Sequence, residues 1–231
     1  MAERVLAAHL AGTVVIATTT DPQDDVIESL CQSEGLLCFR GHPTDLLDRH
    51  YQAALHYGGD IVLKIPSDCP LIDPAVIDKT IQYYIEHADR FDYVGNLHPP
   101  SYPDGNDVEI MPLSVLAIAH SQATQSIERE HTTPYIWQNP QLFRLGNVAW
   151  ETGLDYSQSH RFTIDYPEDY AFIKRVYDEL YAQKPLFGLN DILQLLEKQP
   201  DIMAINEKYA GVTWYSRHLA SLQKEMPNTE K

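Results

Sequence analysis

Two aspartates carry the clearest chemistry: Asp68, which closes the run DIVLKIPSD, and Asp165, which closes HRFTID. Each ends an apolar segment that reads as a strand, and each is followed by a proline-led helix start. In open parallel sheets the ligand crevice lies outside the carboxyl ends of the strands, so polar residues there are the first to consider. Magnesium is usually held by one or two protein carboxylates, with substrate phosphates and water completing the octahedron, and two strand-end aspartates would supply that. Taken singly, an aspartate just before a helix is more often a simple N-cap, so the pair gains weight only when something joins its members.

Other constellations are thinner. His131 lies three residues after Glu128, an E-x-x-H spacing that resembles half of a carboxylate-bridged metal site, but no second copy exists and a structural histidine is favoured. The chain has no GxSxG, HExxH or GxxxxGK[ST], which removes the commonest hydrolase, zinc-protease and P-loop readings. Cys69 has no histidine adjacent in sequence and reads as a small buried residue. For an anionic ligand, Arg40 is best placed, at the end of the run LLCF. Lys64 shares a strand face with Asp68 and pairs with either an acid or a phosphate. Arg49 and Arg129 have solvated helix ion pairs as an equal alternative, and Arg161 flanks the late strand.

The elements that must position these residues alternate. Residues 3–11 have helical spacing and lead into a β-branched run at 13–20; a helix opens at Pro22 and reaches about Glu34, and 36–39 is the next strand. Thr44 caps a helix to about Tyr57, Gly58-Gly59 stops it, and 60–65 is a strand. A helix at 74–87 and a strand near 93–96 follow. Residues 98–106 (HPPSYPDGN) read as a surface excursion. Next come a strand at 107–111, helices near 112–123 and 127–138, strands at 143–148 and 160–165, a helix from Pro167 to about Tyr181, and a helical tail at roughly 189–198 and 214–225. The final MPNTEK is expected to be disordered. Such alternation, with strands apolar along most of their length, indicates an α/β fold with a doubly wound, mostly parallel Rossmann-like sheet covered by helices on both faces.

A chain of 231 residues with 44% hydrophobic content buries one substantial core. Its formal charge of -16 argues against nucleic acid or an anionic membrane as partner, because a polyanion needs clustered Lys and Arg. Cys31, Cys38 and Cys69 form no CxxC pair or zinc spacing, so free thiols in a reducing cytoplasm are the expectation. No run of about 18 apolar residues and no basic-then-apolar leader occurs, which points to a soluble cytoplasmic protein.

Six segments together resemble a known family: VVIATTTDPQDD (14–25), FRGHPTDLLDRHYQAA (39–54), SDCPLIDP (67–74), YPDGNDVEI (102–110), EREHTTPYI (128–136) and FTIDYPEDY (162–170). In this order they resemble the cytidylyltransferases that include spore-coat polysaccharide biosynthesis proteins and the acylneuraminate and 3-deoxy-manno-octulosonate enzymes. The resemblance implies a nucleotide-diphospho-sugar transferase type of fold, with a nucleotidyltransferase-like domain over 1–185 and a helical extension over 186–231. It also implies transfer of CMP from CTP to a sugar acid or related sugar, with Mg²⁺ on Asp68 and Asp165. Ser67, Arg40, Asp48 and Arg49 fall on the nucleotide side. Asn96, Tyr102, Asp104, Asp107, Glu109, Arg129 and His131 fall on the sugar side, and the excursion 98–145 is a sugar-binding or homodimer region.

The family opens with a strand and a loop resembling IxARxxSxRLPxK that grips the triphosphate and reads the base, and this sequence starts at the helix after it. The resemblance then implies a sheet without its first strand and weak CTP binding, explained by a misassigned start, a truncated gene or a second chain in the gap. Two other functions compete. A non-catalytic subunit or partner-binding domain would associate obligately. A nucleotide-sugar glycosyltransferase would carry a D-x-D pair, and the nearest string, Asp104-Gly105-Asn106-Asp107, has the wrong spacing.

Overall fold

The computed structural model describes residues 1–212, so the expected helix at 214–225 and the terminal MPNTEK lie outside the described residues. The chain forms two compact units, neither continuous in sequence. One comprises Met1–Pro66, Ile72–Pro99 and Asp107–Val148; the other comprises Ser67–Leu71, Pro100–Asn106 and the chain from Ala149 on.

The first unit runs α1 (Ala2–Leu6), β1 (Val15–Thr19), α2 (Asp25–Glu34), β2 (Leu37–Gly41), α3 (Leu46–His56), β3 (Ile61–Lys64), α4 (Pro74–Glu86), β4 (Tyr93–Gly95), β5 (Glu109–Pro112), α5 (Leu113–Gln122), α6 (Ser126–His131), α7 (Pro134–Trp137) and β6 (Leu145–Asn147). Strands β1 and β2 pair in parallel, with Ala17 opposite Phe39. A second sheet has the order β3-β5-β4-β6, in which β5 is antiparallel to both neighbours and β4 and β6 are parallel. Its register sets Lys64 directly opposite Glu109. The core packs Leu47 and Val62 with Met111, Leu116, Ile136 and Phe143.

Local chemistry explains where these helices start and stop. Helix α2 ends where Gly35 takes φ 68°, a conformation cheap only for glycine. There Leu36 N–H donates to the Cys31 carbonyl at 2.8 Å and Gly35 N–H to that of Gln32 at 3.4 Å, a Schellman ending. Helix α3 is capped by Asp45 rather than the expected Thr44: the Asp45 carboxylate accepts the Asp48 N–H at 2.9 Å. Asp73 caps α4 by accepting the Ala75 N–H at 2.8 Å, with Pro74 in the first turn. Asp73→Ala is expected to cost about 1 kcal/mol, read as a lower urea midpoint at unchanged slope.

The expected single helix over 127–138 is broken at Thr132, which has φ 74° and ψ -51°. Thr133 N–H donates back to the His131 carbonyl at 2.9 Å, closing a rare γ-turn that strains a β-branched residue.

The second unit carries α8 (Pro167–Leu180), α9 (Leu189–Lys198) and α10 (Pro200–Met203), packed over Phe162, Phe172, Val176, Phe187, Ile192 and Leu196. The expected strand at 160–165 forms only a single bridge, Asp104 to Arg161. Asp104 N–H donates to the His160 carbonyl at 3.0 Å and Phe162 N–H to the Asp104 carbonyl at 2.8 Å. Gly105 permits this approach: a Cβ there would lie 2.7 Å from the Phe162 carbonyl carbon, at φ +100°. Among the described residues no helix is long and apolar enough to cross a membrane.

Candidate active site

The second unit joins the two strand-end aspartates. The Asp68 carbonyl accepts the Ile164 N–H at 2.9 Å and the Thr163 hydroxyl at 3.1 Å, so the two segments run side by side. The backbone at Asp68 thus meets the segment one residue before Asp165. Both residues are exposed. Neither serves as a helix cap, because that work falls to Asp73 for α4 and to Asp169 for α8, whose carboxylate accepts the Asp165 and Tyr166 N–H groups at 3.0 Å each. The simple N-cap reading is thereby removed for both, and Ser67 is exposed beside Asp68.

Asp165 is tied to its surroundings through Arg161, which is 2% exposed at the side chain. The guanidinium donates to Asp165 through Nη2, to Asp169 through Nε and Nη2 at 2.9 and 3.0 Å, and to the Val212 carbonyl through Nη1 at 2.6 Å. Asp104 is a looser fourth acceptor at 3.5 Å. Asp169 is fully buried; burial opposes its charge, but Arg161, Asn206 and two backbone N–H groups outweigh that and hold its carboxyl below the usual range. In the same unit Tyr102 is buried, stacks on Trp150 at 5.7 Å between centroids and donates to Glu151 at 3.4 Å.

The first unit gathers the other candidates into three groups. Arg40 binds Asp25 and Glu28 of α2 and the Thr19 and Asp21 carbonyls, so it shapes the loop after β1. Arg49 likewise donates to the His42 and Pro43 carbonyls after β2. A second group links α3, α5 and α6: Arg129 grips Asp45 at 2.6 and 2.8 Å and donates to the His120 carbonyl, while His120 Nε2 meets Asp48 at 2.9 Å. Glu128 accepts the Thr124 and Gln125 N–H groups at 2.9 Å, which commits it to the start of α6.

The third group is buried. Glu109, 1% exposed, accepts from Lys64 Nζ at 2.5 Å, from Tyr93 Oη at 2.7 Å and from Thr133 Oγ1 at 2.5 Å. The strained γ-turn thus delivers the Thr133 hydroxyl to Glu109 and sets Thr132 Oγ1 3.3 Å from His50 Nδ1. His131, half-buried, opens that turn; Asn96 is buried and accepts the Val108 N–H at 3.0 Å, and Asp107 is half-buried just before β5. Lys64, Tyr93 and Thr133 escaped sequence reasoning as a unit, because only the β3–β5 register reveals that Lys64 faces Glu109.

Burial pushes the His50 imidazole down to about 4, with Nδ1 donating to the Leu46 carbonyl at 2.7 Å. The unfolded chain therefore takes up this proton near the ordinary histidine value while the folded one does not. Stability is fully present above about pH 6.5 and falls as pH drops toward 4. A series of urea midpoints is expected to lose up to about 3 kcal/mol through this one group, and His50→Gln removes that part of the slope.

A family model described as cytidylyltransferase matches residues 1–202. This chain belongs to the cytidylyltransferase family. It is accordingly a nucleotidyltransferase, and its α/β architecture is that of the family. A cytidylyltransferase from Leptospira borgpetersenii serovar Hardjo-bovis superposes with a TM-score of 0.82 at 32% identity, covering 88% of this chain and 83% of that one. An uncharacterized protein of Methanocaldococcus jannaschii is 33% identical over 206 residues, 88% of this chain and 81% of the relative. The spore coat polysaccharide biosynthesis protein SpsF of Bacillus subtilis is 29% identical over 189 residues, 81% and 76% of the respective chains. A CMP:2-keto-3-deoxy-manno-octonic acid synthetase complexed with CTP shares the fold, with a TM-score of 0.54 at 17% identity over 79% of this chain and 86% of that one.

Proposed function

We propose that this cytidylyltransferase transfers CMP from CTP to a sugar acid or related sugar, releasing pyrophosphate, and that it supplies an activated sugar for surface polysaccharide synthesis. The observation that carries the reading is the pair of exposed aspartates, Asp68 and Asp165, on hydrogen-bonded segments of one unit. Two hard oxygen donors suit Mg²⁺, which keeps water and substrate phosphates in its remaining positions. Among the described residues no group of three or more His, Cys, Asp or Glu is placed to hold a metal by itself.

Asp68 and Asp165 would hold Mg²⁺, which would supply charge neutralisation at the α-phosphate and the departing pyrophosphate while an acceptor oxygen attacks in line. Ser67, Asp48, Arg40 and Arg49 act on the nucleotide side, the two arginines through the loop carbonyls they fix. Asp104, Asp107, Arg129 and His131 act on the sugar side, and the buried Asn96, Tyr102 and Glu109 serve as structural support. The acceptor class follows the CTP-bound synthetase and the polysaccharide class follows SpsF, each by similarity of fold or sequence.

The test is a matrix of CTP, UTP and GTP against candidate sugar acids, with pyrophosphate release read with and without Mg²⁺. Turnover that needs both CTP and the divalent ion is expected. Turnover with UTP or GTP alone, or no loss on chelation, refutes it. Light scattering checks the homodimer and separates it from obligate assembly with another chain.

A further inference from the structure

We infer that Arg161 is a positioning residue for Asp165, and that the segment Asn206–Val212 is the clamp that locks Arg161 in place. This rests on the proposed role of Asp165. Arg161 touches no reacting atom in that scheme; it acts through the carboxylate it holds.

The geometry is specific. One guanidinium nitrogen, Nη2, donates to both Asp165 and Asp169, so the direction of the exposed carboxylate is set by a buried one. Asp169 in turn cannot move, because it also accepts the Asp165 and Tyr166 N–H groups and the Asn206 side-chain amide at 2.9 Å. The same Asn206 amide nitrogen donates to the Arg161 carbonyl at 3.0 Å, and Arg161 Nη1 donates to the Val212 carbonyl at 2.6 Å. Asn206 is therefore bonded to both ends of the Arg161–Asp169 pair from 45 and 37 residues away. A planar fork is needed here: only a guanidinium reaches two carboxylates and a carbonyl at once. The tyrosine rings of Tyr166 and Tyr209, stacked at 3.8 Å, pin the clamp to the Asp165 turn a second time.

Carboxylates that bind a metal depend on the groups that orient them, and removing such a partner typically lowers metal affinity about 10- to 100-fold. The experiment uses Mn²⁺ as the probe, titrated into the full chain and followed by the electron paramagnetic resonance of the free ion. Asn206→Ala is expected to raise the Mn²⁺ dissociation constant about tenfold while the far-ultraviolet circular dichroism stays that of the parent. Arg161→Lys, which keeps the charge but loses the fork, is expected to do the same. If Asn206→Ala does not fold, Asn206→Ser, which keeps a shorter donor, carries the measurement.

An Mn²⁺ affinity within twofold of the parent in a folded Asn206 variant overturns the inference. Asp165→Asn separates the two layers. Binding lost in Asp165→Asn but unchanged in Asn206→Ala sinks the clamp alone. Parent-like binding in Asp165→Asn, or no Mn²⁺ binding by the parent even with CTP present, sinks the proposed function and the clamp with it.

Discussion

Replacing Asp68 or Asp165 by asparagine is expected to reduce CTP-dependent pyrophosphate release about 1,000-fold, while the melting curve stays close to that of the parent. The magnitude follows from the several kcal/mol that charge neutralisation contributes at a transferring phosphoryl group, each 1.4 kcal/mol being about tenfold in rate. The small effect on stability follows from the exposure of both side chains and from their having no part in helix capping. Asp68→Asn is the cleaner of the two, since Asp165 also accepts from Arg161. Steady-state rates across a magnesium titration decide it: a residual rate above a tenth of the parent in Asp68→Asn would remove that residue from the chemistry.

The second large effect lies in the first unit and concerns folding. Removing one partner of a buried ion pair strands the other, at a cost of about 3–5 kcal/mol. Lys64→Met leaves the Glu109 carboxylate with only the Tyr93 and Thr133 hydroxyls. In the parent, burial opposes ionisation of Glu109, but Lys64 and the hydrogen bonds to the carboxylate outweigh it and lower its proton affinity. That contribution is present above about pH 4.5 and lost as pH falls further. In Lys64→Met burial acts unopposed by the ammonium, the carboxyl shifts upward, and the sign reverses: the variant recovers stability as the solution is acidified from pH 7.5 toward 5. Lys64→Met combined with Glu109→Gln is expected to regain most of the loss at neutral pH. Urea midpoints at the two pH values test both statements, and a single variant whose deficit is independent of pH would contradict the assignment of a stranded charge.

The sequence exposed much of this fold because its local signals agree. Helix α9 matches the spacing of Leu189, Ile192, Leu195 and Leu196, all buried, and the strand runs at 13–20 and 60–65 contain β1 and β3. Where local and distant forces compete, the reading failed. Residues 160–165 have strand composition, yet their partners are the short loops 67–71 and 100–106, which offer one or two hydrogen bonds apiece and no ladder. The helix break at Thr132 carries no glycine or asparagine to announce it; the buried acceptor Glu109, 24 residues distant, holds the following threonine in place. Asp68 and Asp165 were legible because strand ends are readable from pattern. Arg161, Asp169 and Asn206 were not legible as a group, since nothing local marks a contact spanning 37 or 45 residues.

The interleaving of the two units bears on how the chain is made. The backbone passes between them at five peptide bonds, 66–67, 71–72, 99–100, 106–107 and 148–149. A ribosome that has released residue 148 has delivered everything the first unit needs, whereas Ser67–Leu71 and Pro100–Asn106 still wait for the chain that completes the second. The acidic pair, 97 residues apart in synthesis order, therefore comes into being late, after the first unit has had its chance to fold. Neither unit can be cut from the gene as one uninterrupted exon-like piece, so the pair is inherited, or lost, with the whole.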